Sequence, residues 1–115
     1  MPTFREMLSV ARARITEVTP GEAAAQLSKP GVVALDVREP DEFQQGALKG
    51  AVHIPRGYLE IQVAGKVPEP TTPLVVYCAG GTRSAFAADT LAQLGYTDVV
   101  SMQGGFNRWK DEGRP

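Results

Sequence analysis

Two stretches of the chain are apolar with almost no interruption: Val32-Val33-Ala34-Leu35-Asp36-Val37, which runs into an acid, and Leu74-Val75-Val76-Tyr77, which ends at Cys78. Runs of this kind, with no polar alternation, mark strands covered on both faces by helices. Val99-Val100-Ser101-Met102 and the briefer Ala51-Val52-His53-Ile54 read as further strands, and Ile15-Thr16-Glu17-Val18 as an extended segment that pairs at a sheet edge. Elsewhere the apolar spacing is helical. Phe4, Met7, Leu8 and Ala11 predict a leading helix over about 3–13. In Thr19-Pro20-Gly21-Glu22 the hydroxyl caps, proline fits the first helical position and the glutamate reaches back, so a second helix runs to about Leu27 and ends at Pro30-Gly31. Pro40 to Gln45 predicts a helical turn, Leu59 to Val63 a helical segment, and Gly65 to Thr72 an exposed connection with Pro68, Pro70 and Pro73 nearby. Phe86, Ala87, Thr90, Leu91 and Leu94 predict a helix over Ser84 to Leu94 that stops at Gly95, and Gly104 to Trp109 opens a last short one.

Strands that alternate with helices predict an α/β fold: one domain over 1–115, with an open, mainly parallel central sheet and helices on both faces. The core spans about 15–110, and the Val32-to-Val37 strand is placed in the middle of the sheet. At 115 residues a single packed core is sufficient. Sites in such sheets form at the carboxyl ends of strands, which directs attention to Asp36 and Cys78.

Composition narrows the chemistry. With 12 basic and 13 acidic residues and a formal net charge of −1, no global field gathers nucleic acid or an anionic membrane. The segment Met1 to Leu8 carries an early acid and no long apolar run, so it reads neither as a signal peptide nor as a span, and the expected compartment is the cytoplasm. One cysteine excludes an internal disulfide and a two-cysteine metal site, which leaves Cys78 as either buried filler or the chemistry itself.

Position favours chemistry. Cys78 ends a buried strand, and Ala79-Gly80-Gly81-Thr82-Arg83-Ser84 then turns tightly into a helix, so successive amides can point at the centre of the loop as an anion cradle. Gly80 and Gly81 are expected to supply the positive φ or close backbone approach that such a curl requires. A thiol facing those amides and the positive end of a helix is expected to be held as thiolate, ready without a base. His53, the only histidine, is then free to satisfy backbone groups, although a proton-transfer role is the other reading. Arg83 either neutralises a bound anion or pairs with a carboxylate such as Glu39 or Asp41 and braces the loop. Asp36 and Arg38 either tie neighbouring loops together or form an ordinary strand-end ion pair. Arg56, one turn from Glu60, reads on its own as a solvated surface arginine. Phe106 and Trp109 fill core space.

The residues quoted so far resemble the rhodanese family. Cys78 to Ser84 is similar to its active-site loop, and Asp36-Val37-Arg38-Glu39, His53-Ile54-Pro55-Arg56-Gly57 and Gly104-Gly105-Phe106 through Trp109 are similar to further landmarks in family order. The resemblance implies a thiosulfate-sulfurtransferase-type enzyme in which the Cys78 thiolate takes the outer sulfur of thiosulfate or a persulfide and passes it to cyanide or a thiol. A sulfur-accepting protein is a further partner it allows. In that picture Ala79, Gly80, Gly81, Thr82, Arg83 and Ser84 hold the persulfide, Arg56 borders the pocket, Asp36, Arg38 and Glu60 support it, and no metal or organic cofactor is needed. Relatives of the fold that hydrolyse phosphate esters carry five residues between cysteine and arginine, whereas here there are four, Ala79 to Thr82. The tighter loop argues against a phosphatase or arsenate reductase, and the retained cysteine and glycines argue against a non-catalytic binding or redox-sensing module. Gly46-Ala47-Leu48-Lys49-Gly50 lacks a histidine the family often has there, and the neutral loop interior leaves room for persulfides bulkier than thiosulfate.

Overall fold

The computed structural model describes residues 1–115. The strands are β1 (Thr16–Val18), β2 (Val33–Asp36), β3 (Val52–His53), β4 (Leu74–Tyr77) and β5 (Val99–Met102). The helices are α1 (Phe4–Arg14), α2 (Pro20–Leu27), α3 (Pro40–Gln44), α4 (Leu59–Lys66), α5 (Thr82–Gln93) and α6 (Gly105–Asp111), and a 3₁₀ turn, Arg56–Tyr58, leads into α4. All strand pairs are parallel and the sheet order is β1-β5-β4-β2-β3, so the fold is α/β with an open parallel sheet. β2 is interior but one place off centre, because β3 closes the edge beside it and β4 takes the middle.

Period-2 alternation splits the core into two layers. On one face Leu35, Val37, Leu74, Val76 and Cys78 pack with Leu59 and Val63 of α4 and Ala87 and Leu91 of α5. On the other, Ala34, Val75, Tyr77, Val100 and Met102 pack with Ala23 of α2 and Trp109 of α6. Each fully buried aliphatic side chain contributes about 1.5–3 kcal/mol, so these layers hold the carboxyl ends of β2 and β4 rigidly side by side.

The helix starts obey local chemistry. Thr3 with Glu6 and Thr19 with Glu22 form reciprocal capping boxes at α1 and α2. α4 runs further than its sequence suggests, to Lys66, so Gly65 is helical and not part of the connection. The cause is tertiary: Val63 and Val67 are buried against Tyr96, whose hydroxyl donates to the Val67 carbonyl. No helix is long and apolar enough to cross a membrane.

Candidate active site

Parity along β4 aims the cysteine. Leu74 and Val76 face α5 while Val75 and Tyr77 face away, so the next alternate position carries the sulfur of Cys78 toward the start of α5. Cys78 is 1% exposed and lies beneath the loop. Its Sγ accepts the N–H of Gly81 at 3.1 Å and that of Ser84 at 3.3 Å. Ser84 is the third residue of α5, and its amide is one of those a helix start leaves without an internal partner. Gly81 in the cap position has no side chain to accept that bond, and the sulfur takes the place usually filled by a capping Asp or Ser oxygen. This cap is why α5 opens at Thr82, two residues ahead of the expected Ser84.

The amides of Ala79, Gly80, Thr82 and Arg83 donate to no group of the protein, so the loop that follows the sulfur carries unpaired N–H groups besides the two that hold it. Gly81 adopts φ +102, and a Cβ there would lie 3.3 Å from the Gly104 nitrogen. Gly80 meets neither condition, since its φ is not positive and the space around it is open. The expectation that the backbone requires glycine at both positions is therefore corrected to Gly81 alone, because the chain reverses at that one residue.

Two elements brace the loop from outside. The amides at the start of α6 donate to its carbonyls, Phe106 N–H to Cys78 at 2.8 Å and Asn107 N–H to Ala79 at 3.0 Å. Arg83 forms a fork with Glu42 at 2.7 and 3.0 Å. The partner is Glu42 and neither Glu39 nor Asp41: at the third position of α3, Glu42 folds back to accept the Glu39 amide at 3.0 Å, which turns its carboxylate toward α5. The hydrogen bond from Arg83 holds the Glu42 carboxyl down at about 2, and the same bond pushes the Arg83 guanidinium up. A carboxyl lowered by folding stabilises above its unfolded value and loses that contribution as pH falls from about 4.5 toward 2. Both side chains are about a third exposed, so solvent screening reduces the contribution to about 1 kcal/mol. Glu42→Gln is expected to cost about that much at pH 7 and to flatten the loss of stability between pH 4.5 and 2. Urea denaturation at neutral and acid pH checks this, and equal acid sensitivity in the variant and the parent contradicts it.

Asp36 and Arg38 form a buried fork, with Nη2 to Oδ2 at 2.7 Å, and Arg38 donates onward to the Gly46 carbonyl at 2.7 Å. The pair thereby ties the end of β2 to the segment after α3, and the guanidinium lies 4.6 Å from the Phe106 ring centroid. His53 Nε2 bonds the Arg38 carbonyl at 2.8 Å and its ring stacks on Phe43. The Arg56 guanidinium is engaged by α4 and α5. It donates to Glu60 at 3.0 Å and to Thr90 at 3.0 Å, and Thr90 lies roughly 9 Å along α5 from Ser84. The arginine spans α4 and α5 because its 3₁₀ turn leads directly into α4, and Glu60 is exposed beside it.

Sequence reasoning missed Ser101. Its Oγ lies 2.9 Å from Ser84 Oγ, which in turn lies 3.6 Å from Cys78 Sγ. The signal was present as a hydroxyl inside an otherwise apolar strand. Val100 and Met102 face the α6 side, so Ser101 faces α5, in register with Val76. Also missed was a shallow depression of about 210 Å³ beside the loop, lined by Gln45, Gly46, Ala79, Phe106, Asn107 and Lys110 among others. Of its charged lining residues, Arg38 is paired with Asp36 and Glu42 with Arg83, whereas the Lys110 ammonium lies 4.9 Å from the Phe106 ring centroid and pairs with no carboxylate.

The model of the rhodanese-like domain family matches residues 19–112. Thiosulfate sulfurtransferase GlpE of Pseudomonas aeruginosa (strain LESB58) is 36% identical over 89 residues, covering 77% of this chain and 79% of that protein. A solved structure from Rhodopseudomonas palustris, described as a protein of unknown function and possible tyrosine phosphatase, superposes with a TM-score of 0.89 at 34% identity, covering 100% of this chain and 94% of that one. The polysulfide-sulfur transferase homodimer of Wolinella succinogenes superposes with a TM-score of 0.82 at 32% identity, covering 97% of this chain and 85% of that one.

Proposed function

The chain belongs to the rhodanese-like domain family, and from that premise we propose that it transfers sulfane sulfur through a persulfide on Cys78. The observation that carries the reading is the pair of main-chain N–H groups, from Gly81 and Ser84, that donate to Cys78 Sγ. Donors fixed at the cap and first turn of α5 favour negative charge on the sulfur and need no reorganisation during reaction. The thiolate attacks the outer sulfur of a sulfane donor. The new S–S bond forms as the donor's S–S bond breaks, and its electron pair leaves with sulfite or a thiolate. An acceptor thiolate or cyanide then attacks the outer sulfur, and the electron pair returns to Cys78. The N–H groups of Ala79, Gly80, Thr82 and Arg83, which have no protein partner, are the donors available to that outer sulfur.

Thiosulfate carries two charges in a compact anion, and Arg83 and Arg56, the two arginines considered for it, are both paired with glutamates. Lys110 stands apart from the loop, over the depression that borders Ala79. A persulfide of a small carboxylate-bearing thiol can place its charge there while its outer sulfur enters the loop. A cleft of about 210 Å³ is below the size of a drug-like site and suits such a fragment. Glutathione persulfide is therefore expected to exceed thiosulfate in kcat/KM by about tenfold or more, a difference of about 1.4 kcal/mol. Steady-state assays with a common acceptor check this, and a preference for thiosulfate contradicts it.

The description of the Rhodopseudomonas neighbour favours a phosphatase as the second reading. Against it stand the four-residue spacing and the pairing of both terminal Arg83 nitrogens with Glu42, which occupies the end-on fork of the guanidinium and offsets its charge. An aryl phosphate assay decides between the two: turnover of that substrate together with no transfer from any sulfane donor establishes the phosphatase.

A further inference from the structure

We propose that Ser101 is a positioning residue for the sulfur chemistry, its hydroxyl donating to Ser84 and thereby committing the Ser84 proton to the Cys78 sulfur. The proposal rests on the reading of Cys78 as the sulfur carrier. Ser84 and Ser101 are both fully buried, and each hydroxyl has one proton to give. Ser84 Oγ stands between two neighbours, Cys78 Sγ at 3.6 Å and Ser101 Oγ at 2.9 Å. Ser84 is also the only hydrogen-bond partner that Ser101 Oγ has.

Proton counting fixes the directions. A thiolate has no proton, so the hydrogen in its contact with Ser84 comes from Ser84. With its proton so used, Ser84 meets Ser101 as an acceptor, and Ser101 supplies the hydrogen. When the sulfur is a thiol it can donate instead, and both hydroxyls reverse. Ser101 thus biases the Ser84 rotor toward the sulfur and adds a third donor to the amides of Gly81 and Ser84. Strand register holds it in place: Ser101 pairs with Val76, two residues before the cysteine, on the strand next to β4. Water does not reach the pair to substitute for it, since both serines have no exposed surface.

The test follows the ultraviolet absorbance of the Cys78 thiolate against pH in the parent, Ser101→Ala, Ser84→Ala and the double variant, with Cys78→Ser as the blank. Below the midpoint, Ser101→Ala is expected to reduce the thiolate fraction about three- to tenfold, with the plateau at high pH unchanged. In the Ser84→Ala background the same substitution is expected to add nothing, because the route from Ser101 to the sulfur is already cut. Ser101→Thr, which keeps the hydroxyl, is expected to stay within about twofold of the parent. A Ser101→Ala profile that overlays the parent, or effects of the two alanines that multiply in the double variant, overturns the proposal. Parallel incubation with glutathione persulfide separates the two ideas. A parent that forms thiolate but takes up no sulfur sinks the sulfurtransferase reading, while the titration alone decides the role of Ser101.

Discussion

Cys78→Ser is expected to lower kcat/KM for sulfur transfer by about four orders of magnitude or more while leaving the fold close to its original stability. The loss follows from chemistry, since a serine oxygen near neutral pH is protonated and forms no persulfide; removing a nucleophile elsewhere costs on the order of a million-fold in kcat. The retained stability follows from the cap. Sγ accepts the amides of Gly81 and Ser84, and a serine oxygen can accept the same pair. Cys78→Ala supplies the contrast, because it leaves two buried N–H groups without a partner at about 1–3 kcal/mol each. Turnover assays and thermal melts on both variants check the pair of expectations. A Cys78→Ser protein that turns over normally removes Cys78 from the mechanism, and an alanine variant as stable as the serine one removes the sulfur from its capping role.

Gly105→Ala is expected to destabilise the protein by about 3 kcal/mol or more and to abolish activity with it. Gly105 sits at φ +59, and a Cβ there would overlap the Cys78 carbonyl oxygen and come within 2.5 Å of the Ala79 carbonyl oxygen. Both are backbone atoms of the reactive loop, so relief requires α6 to retreat and the bonds from Phe106 and Asn107 to Cys78 and Ala79 to break. The unfavourable φ adds about 1–2 kcal/mol. For a chain of this size a loss of 3 kcal/mol lowers Tm by about 10 °C or more. Gly80→Ala is the control, since neither conformation nor space opposes a side chain there, and its Tm is expected to change by no more than a few degrees. If the two variants melt together, the clamp of α6 on the loop is not what holds it.

What could be read from sequence follows from how local each cause is. β4 and β5 are found where expected, Leu74–Tyr77 and Val99–Met102, because an apolar run covered on both faces needs no knowledge of its neighbours. The start of α2 was legible because Thr19 and Glu22 satisfy each other within one turn. Causes lying elsewhere in the chain were not legible. α4 extends through Gly65 on account of Tyr96, and Gly105 must be glycine because a loop 27 positions earlier presses on it. The partner of Arg83 is one of three neighbouring acids, and only the fold-back of Glu42 over the start of α3 selects it. The attachment of Arg56 to Thr90 depends on how the 3₁₀ turn before α4 meets α5, a contact between segments 34 positions apart that the local sequence does not encode. Ser101 lies between these cases, since alternation along β5 fixes its face but not its neighbour.

The most direct test of the central claim, that loop amides hold Cys78 ready to accept sulfur, is intact-mass analysis after incubation with glutathione persulfide and removal of excess donor. The parent is expected to gain the mass of one sulfur, mapping to Cys78 and lost on addition of cyanide, while Cys78→Ser gains none. A parent whose mass stays unchanged with this donor and with thiosulfate, although its thiolate forms, contradicts the account.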